Sequence, residues 1–281
     1  MHRYGQLGNR LAYLKAFLAI AMEYRLSIAN FTFDEYARYF KGTCADWAFG
    51  FPASPKGRRL PRFAGRLLRV LLAGMEPVIR SHGRCLGLSA AETAENGCFM
   101  FTDGRLAAAA RRRNLVFYKG WPVVPPEIMA KHADQIREYF ALSGDFARTV
   151  ATYLAAARQG CDLLVGIHVR QGDYQHWNGG RFYYSTPQYA VLMQHIVRKH
   201  AGRQVRFVVC SNVVQDWSVF AALPLVRGTG EAVVDLYVLS GCDEIYGPQS
   251  SYSAWAAYYG QKPLYWVMNP ETFELVGGSE S

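Results

Sequence analysis

Leu163-Leu164-Val165-Gly166-Ile167-His168-Val169 is a nearly continuous apolar run, and it limits the fold more than any other segment. A strand with one face in water alternates apolar and polar residues, whereas a strand covered by helices on both faces is apolar throughout. The run therefore predicts a buried strand of a parallel sheet. The chain beyond it keeps the matching rhythm. Pro187 to His200 is helical in period, Val205-Arg206-Phe207-Val208-Val209-Cys210 is the next strand, and Gln215 to Leu223 is a short helix. Val233 to Leu239 leads into the strand-like Glu244-Ile245-Tyr246; helix Tyr252 to Tyr259 and strand Pro263 to Val267 come after. Strands alternating with helices build a parallel sheet through crossover connections. Residues 160–281 are thus expected to form one α/β unit.

The first half is less regular. Gly5-Gln6-Leu7-Gly8-Asn9 is a glycine turn, and Arg10 to Arg25 carries Leu11, Leu14, Phe17, Leu18, Ala21 and Met22. That spacing of three and four suits a helix packed on one face. The turn lacks the third glycine of the dinucleotide-binding fingerprint, so it reads as a tight turn before a helix. Residues 42–66 are rich in Gly, Pro and Arg and read as loop. Leu115 to Tyr118 is the clearest strand, Trp121 to Pro126 is extended, and Ile128 to Phe140 and Asp145 to Gln159 are two helices. Residues 1–159 are expected to be an N-terminal α/β unit, with a basic insertion at 42–84.

The net charge of +9 has its densest source in Lys56, Arg58, Arg59, Arg62, Arg66 and Arg69. Leu60, Phe63, Leu67, Leu68, Val70, Leu71 and Leu72 interleave with those bases, making 56–72 a basic amphipathic stretch. Such a helix rests on an anionic membrane surface or is an ordinary solvated helix, and both readings stand. No nucleic-acid-binding module accompanies the charge, so nucleic acid is not an expected partner. The six cysteines (44, 85, 98, 161, 210, 242) have no zinc-site spacing and read as core thiols. No stretch of about 20 apolar residues exists, and the N-terminus has no basic segment followed by an apolar one. The expected location is the cytoplasm, with peripheral contact at the inner membrane face.

Chemistry is expected beyond the carboxyl ends of the strands, where parallel sheets bind ligands. His168-Val169-Arg170-Gln171-Gly172-Asp173-Tyr174 turns an apolar strand abruptly polar. Arg170 offers planar, permanently charged donors suited to a diphosphate. Gly172 lets the backbone pass close to a ligand. His168 alone would read as a packed histidine; four polar groups at one strand end favour function. Gly247-Pro248-Gln249-Ser250-Ser251-Tyr252-Ser253 joins a strand to a helix, where hydroxyls and free amides bind phosphate. Ser250 or Ser251 could equally be a simple N-cap. Cys210-Ser211-Asn212 is a third strand end with little polar signal.

In order along the chain these segments resemble the fucosyltransferase superfamily of α1,2-, α1,6- and protein O-fucosyltransferases, with its rhizobial chitin-oligosaccharide relatives. Gly5 to Arg10 is similar to the family's Gly-x-x-Gly-Asn-Gln turn, and His168 to Tyr174 to the His-x-Arg-Arg-Gly-Asp-Tyr motif of the α1,2 branch. Asp235-Leu236-Tyr237-Val238-Leu239-Ser240 with Ser250-Ser251-Tyr252-Ser253 resembles the third motif, and Gly120-Trp121-Pro122 also fits. The resemblance implies a GT-B-like α/β fold of two Rossmann-like units with parallel sheets, the C-terminal one better defined and the N-terminal one on the acceptor side. It implies an inverting transfer from GDP-fucose to a glycan or lipid-linked glycan, with no cofactor and no catalytic metal. Arg170 would grip the donor diphosphate. His168 and Asp235 would contact the nucleotide and Ser251 a phosphate, with Ser250 and Ser253 beside it among the donor-binding residues, and Asn9 would lie near the reacting sugar. Asp173 is the candidate general base, chosen because the acceptor hydroxyl must lose a proton.

Two departures stand out. The family's second arginine is Gln171 here, which is expected to remove a charge from the diphosphate site, and only four residues precede Gly5. These leave room for another nucleotide sugar, for a start upstream of Met1, or for a non-catalytic membrane-surface module on the same scaffold.

Overall fold

The structure is a computed structural model that describes residues 5–30, 33–44, 51–52, 67, 70–71, 85–89, 98–100, 115–119 and 121–278. The chain separates into two compact units, 1–143 and 144–281.

In the first unit helix α1 (Leu7–Tyr24) buries Leu7, Leu11, Leu14 and Leu18 along one face. The spacing expected of Arg10 to Arg25 thus forms a helix that begins one turn earlier, immediately after Gly5, whose φ is +59°. Among the described residues, four short strands, β1 (Cys85–Ser89), β2 (Cys98–Met100), β3 (Leu115–Lys119) and β4 (Trp121–Val123), pair parallel as β1 with β3 and β2 with β4. The expected helix Ile128 to Phe140 is two helices, α2 (Pro126–Lys131) and α3 (Ala133–Tyr139). They break at His132, whose Nε2 lies 2.7 Å from Glu23 Oε2 on α1. Phe33, Phe40 and Phe140 are fully buried, with Phe40 and Phe140 edge to face at 5.5 Å.

The second unit holds a six-stranded sheet in the order β10-β9-β8-β5-β6-β7, built from β5 (Leu163–Val169), β6 (Val205–Ser211), β7 (Leu225–Arg227), β8 (Glu244–Gly247), β9 (Leu264–Asn269) and β10 (Glu274–Gly277). All neighbours are parallel except the antiparallel pair β9–β10. Every residue of β5 is buried. Its odd-numbered side chains join Tyr189, Leu192, Met193 and Ile196 of helix α5 (Thr186–Lys199). On its other face Gly166 leaves room for helix α6 (Ala232–Ser240), since a Cβ there would lie 2.8 Å from Leu239 Cδ2. Helix α7 (Ser251–Gly260) packs on α6 so closely that a Cβ on Gly260 would overlap the Ser240 carbonyl.

Helix α4 (Gly144–Ala157) belongs to this second unit, so the observed division falls sixteen residues before the expected one at 159/160. The reason is anchoring. Arg158, just beyond α4, makes two hydrogen bonds to Asp243 at 2.8 and 2.9 Å and a third to the Gly241 carbonyl at 2.7 Å. Asp243 in turn accepts from the Leu164 amide at 2.9 Å, fastening the helix to β5. The short helix expected over Gln215 to Leu223 is a single 3-10 turn, Trp217–Phe220, capped by Asp216.

Cysteine packing is mixed. Cys210 and Cys242 are buried free thiols, but Cys44 is exposed, which corrects the expectation of six core cysteines. Cys44 follows a turn at the surface, where its Sγ meets only the Lys41 carbonyl among the hydrogen-bond acceptors described. The basic stretch 56–72 lies outside the described residues apart from Leu67, Val70 and Leu71, which are exposed. Among the described residues no helix is long and apolar enough to cross a membrane.

Candidate functional site

Strand order places the site. From β5 the chain moves outward to β6 and β7, then returns to the other side of β5 as β8 and β9. The sheet's order thus reverses between β5 and β8, and the carboxyl ends of two such strands are where open parallel sheets form their ligand crevice. The two segments singled out for their polarity, His168 to Tyr174 and Gly247 to Ser253, leave these strands and meet there. His168 Nδ1 is 2.7 Å from Ser253 Oγ. Tyr174 donates its hydroxyl to the Gln249 carbonyl at 2.7 Å, a second tie between the loops. Gly247 permits the approach, because a Cβ there would stand 3.0 Å from His168 Cβ.

Arg170 is the first residue beyond β5. Its backbone amide donates to Tyr189 Oη at 3.2 Å, which fixes where the side chain starts. The guanidinium sits over the Tyr174 ring at 5.2 Å, and Nη2 donates to Asp173 Oδ2 at 2.8 Å. Its Nε is buried and has no hydrogen-bond partner. A buried N–H on a cation is costly to leave unmade. An anion entering the crevice would supply the acceptor. Asp173 has about half its side chain open to solvent, so the ion pair can be shared with a ligand without desolvating two buried charges.

His168 is buried, and its imidazole is pushed down to about 3, first by burial and then by the Arg170 guanidinium. It is therefore neutral at physiological pH and acts here as a dipole rather than a charge. Ser250 caps α7 by accepting from the Tyr252 amide at 3.2 Å; Ser251 is the helix's first residue and Ser253 lies fully buried one turn in. The capping reading of Ser250 is thus what the geometry has. A helix start leaves first-turn amides without intrahelical acceptors, and α7 begins four residues beyond the end of β8.

Asp235 lies on α6, and its carboxylate is already engaged. Oδ1 accepts from the Thr229 amide at 2.6 Å and hydroxyl at 2.7 Å, and Oδ2 from the Gly230 amide at 3.1 Å. It straps the loop after β7. Asn9 stands on the first turn of α1, exposed, within the first unit. The structure therefore brings together His168, Arg170, Asp173, Ser250, Ser251 and Ser253 in the second unit. Asp235 is one helix removed, beside that loop.

Gln171 does not face the crevice. It is buried, its Nε2 donates to the Tyr184 carbonyl at 2.8 Å, and its Oε1 accepts from Gln215 at 2.8 Å. Asn212 clasps its backbone from both sides, accepting from the Gln171 amide at 2.8 Å and donating to its carbonyl at 3.3 Å. Gly172 comes next at φ +59°, its missing Cβ facing Asn212. Asn212 is thus a support the weakly polar sequence at β6's end did not disclose. Substituting Gln171→Arg is expected to lower stability by about 2 kcal/mol, the cost of a polar group buried without its partners. Donor affinity should not improve. A urea midpoint beside a nucleotide titration checks both, and a variant of unchanged stability with tighter binding would place position 171 at the ligand.

No protein-family model matches the sequence, and no curated protein matches it. Solved structures do. Arabidopsis thaliana FUT1, a single-residue variant in complex with GDP, superimposes with a TM-score of 0.59 at 12% identity, covering 94% of this chain and 69% of that one. NodZ α-1,6-fucosyltransferase soaked with GDP-fucose gives 0.52 at 12%, covering 98% and 96%. POFUT1 in complex with GDP-fucose gives 0.52 at 10%, covering 91% of each chain. At such identities the likeness is one of fold, and the expected α/β class with its mostly parallel sheet is the class observed.

Proposed function

We propose that this chain is a glycosyltransferase that moves fucose from GDP-fucose to a hydroxyl of a glycan, inverting the anomeric carbon without a catalytic metal. The observation that carries the reading is Arg170: a guanidinium at the β5–β8 crevice with a buried, unpartnered Nε, beside the N-terminus of α7. In the reaction the acceptor oxygen bonds to the anomeric carbon as that carbon's bond to the diphosphate oxygen breaks. Negative charge grows on the leaving GDP. Preorganised donors stabilise such charge without reorganising at the moment of reaction. His168, neutral at working pH, cannot supply that charge, so Arg170 and the α7 amides carry it. The hydroxyl proton passes to a base, for which Asp173 is the candidate, its carboxylate already 2.8 Å from Arg170. Asp235 belongs to the nucleotide side and Asn9 to the sugar side of this reading. A lipid-linked acceptor, and contact of 56–72 with an anionic membrane surface at the inner face, complete it.

The fold shared with proteins solved in complex with GDP or GDP-fucose supports the choice of donor. The test is a thermal-shift panel of GDP-, UDP- and dTDP-sugars. A ligand at about 100 times its Kd adds roughly 2.7 kcal/mol to the native state, which raises Tm by several degrees. GDP-fucose is expected to do this and the UDP- and dTDP-sugars are not. A shift confined to another nucleotide would reassign the donor; no shift with any would remove the enzymatic reading.

A further inference from the structure

The loop beyond Arg170 carries a feature the donor site does not use. Trp177 is 48% exposed, a large apolar ring open to solvent at the crevice end of the sheet. It is not loose. The ring stacks on Tyr174 at 4.8 Å with 28° between planes, and lies 5.8 Å from Phe182; both partners are buried. Tyr174 is held in turn by the Gln249 carbonyl and by the Arg170 guanidinium over its ring. After Trp177 come three consecutive left-handed residues, Asn178 at φ +51°, Gly179 at +66° and Gly180 at +76°. Asn and Gly are the residues that enter this region most readily, so the sequence itself sets the tight turn that follows the ring. His176, Asn178 and Arg181, near Trp177 in sequence, are exposed, and the Arg181 guanidinium sits over Phe182 at 5.3 Å. Val213 and Val214, just beyond β6, are also exposed.

We propose that Trp177 is the platform on which a pyranose ring of the acceptor glycan stacks, with His176, Asn178 and Arg181 meeting its hydroxyls. The inference rests on the glycosyl-transfer reading above and adds an acceptor subsite to it. A pyranose has one apolar face and a rim of hydroxyls, which matches a single aromatic ring bordered by donors and acceptors. A protein partner needs on the order of 1,000 Å² of complementary surface, far more than one ring and its border. Arg170 and Trp177 both contact the Tyr174 ring, at 5.2 and 4.8 Å, so such a sugar would lie near the guanidinium assigned to the donor.

The test uses the intact protein saturated with GDP, an array of neutral hexopyranosyl oligosaccharides at millimolar concentration, and two variants, Trp177→Ala and Trp177→Phe. Circular dichroism first verifies that each is folded, and the Phe variant keeps a ring on Tyr174 should the Ala variant be unstable. At least one saccharide is expected to bind the wild type, with affinity about 10-fold weaker in Trp177→Ala and intermediate in Trp177→Phe. GDP affinity, measured by calorimetry on the same samples, should be unchanged. Saccharide binding equal in all three proteins would overturn the platform, as would no binding by the wild type. Wild type that fails to bind GDP yet loses saccharide binding on substitution strikes the donor reading alone. Self-association in solution abolished by Trp177→Ala, without saccharide binding, would identify the rim as a contact between copies.

Discussion

Replacing Arg170 with alanine is expected to lower kcat/KM for GDP-fucose by at least about 100-fold, equivalent to roughly 2.7 kcal/mol, the size found for single preorganised donors at a developing anion. The loss should appear mainly in kcat, since the guanidinium is worth most when charge has moved to the leaving diphosphate. Loss of the ion pair itself should cost little stability. The partner left behind, Asp173, is half exposed, and exposed ion pairs contribute about 0–1 kcal/mol. That separation makes the experiment decisive, because a folding defect would mimic lost catalysis. Arg170→Lys should recover little, as an ammonium cannot reproduce the planar fork. Steady-state transfer or donor hydrolysis by the purified variant, beside its melting curve, gives the answer. Near-wild-type turnover would sink the assignment.

Acid should unfold the protein through His168. Its folded pKa of about 3 lies below that of a free histidine, so between about 6.5 and 3 the unfolded chain binds a proton that the native state refuses. Stability linked to this group is fully present above about pH 6.5 and is lost as pH falls. By pH 4.5 the deficit is on the order of 3 kcal/mol, at 1.36 kcal/mol for each pH unit. Urea midpoints at pH 7 and 4.5 measure it. Glu23, Asp243 and Glu244, whose carboxyls also sit below their ordinary values, add a slope of the same sign at lower pH. The informative quantity is therefore the difference between wild type and His168→Gln, which keeps a polar partner for Ser253 and cannot titrate. Equal pH dependence in the two proteins would move the linkage elsewhere.

Much of the second unit was readable because burial on both faces leaves a strand no choice of residue. Leu163 to Val169 is β5 to the residue, and the run at Val205 is β6. Short edge strands carry no such signature: Leu225–Arg227 and Glu274–Gly277 are partly exposed, too brief for a period, and were not expected. The break at His132 was hidden for a different reason. Both halves keep helical spacing, and it is a contact with Glu23, 109 residues away, that goes with the break. At the site, residue types announced the Arg170 loop and the α7 terminus, whose meeting is a consequence of strand order. The inward turn of Gln171 was illegible. An amide beside an arginine reads as polar and ligand-facing, and only the tertiary partners Tyr184, Asn212 and Gln215 show that its polarity is spent on support.

The antiparallel strand β10 has a bearing on how this molecule lives in a crowded solution. Without it β9 would end the sheet as a flat row of unpaired amides and carbonyls, an invitation to any passing extended chain. Four residues cover that row, with a register irregularity between Glu274 and Leu275 and a left-handed Gly277 that ends the pairing. A kinked border with a charge on it is a poor template for further growth. On this side of the sheet, protection from edge-to-edge pairing rests on a hem only four residues wide.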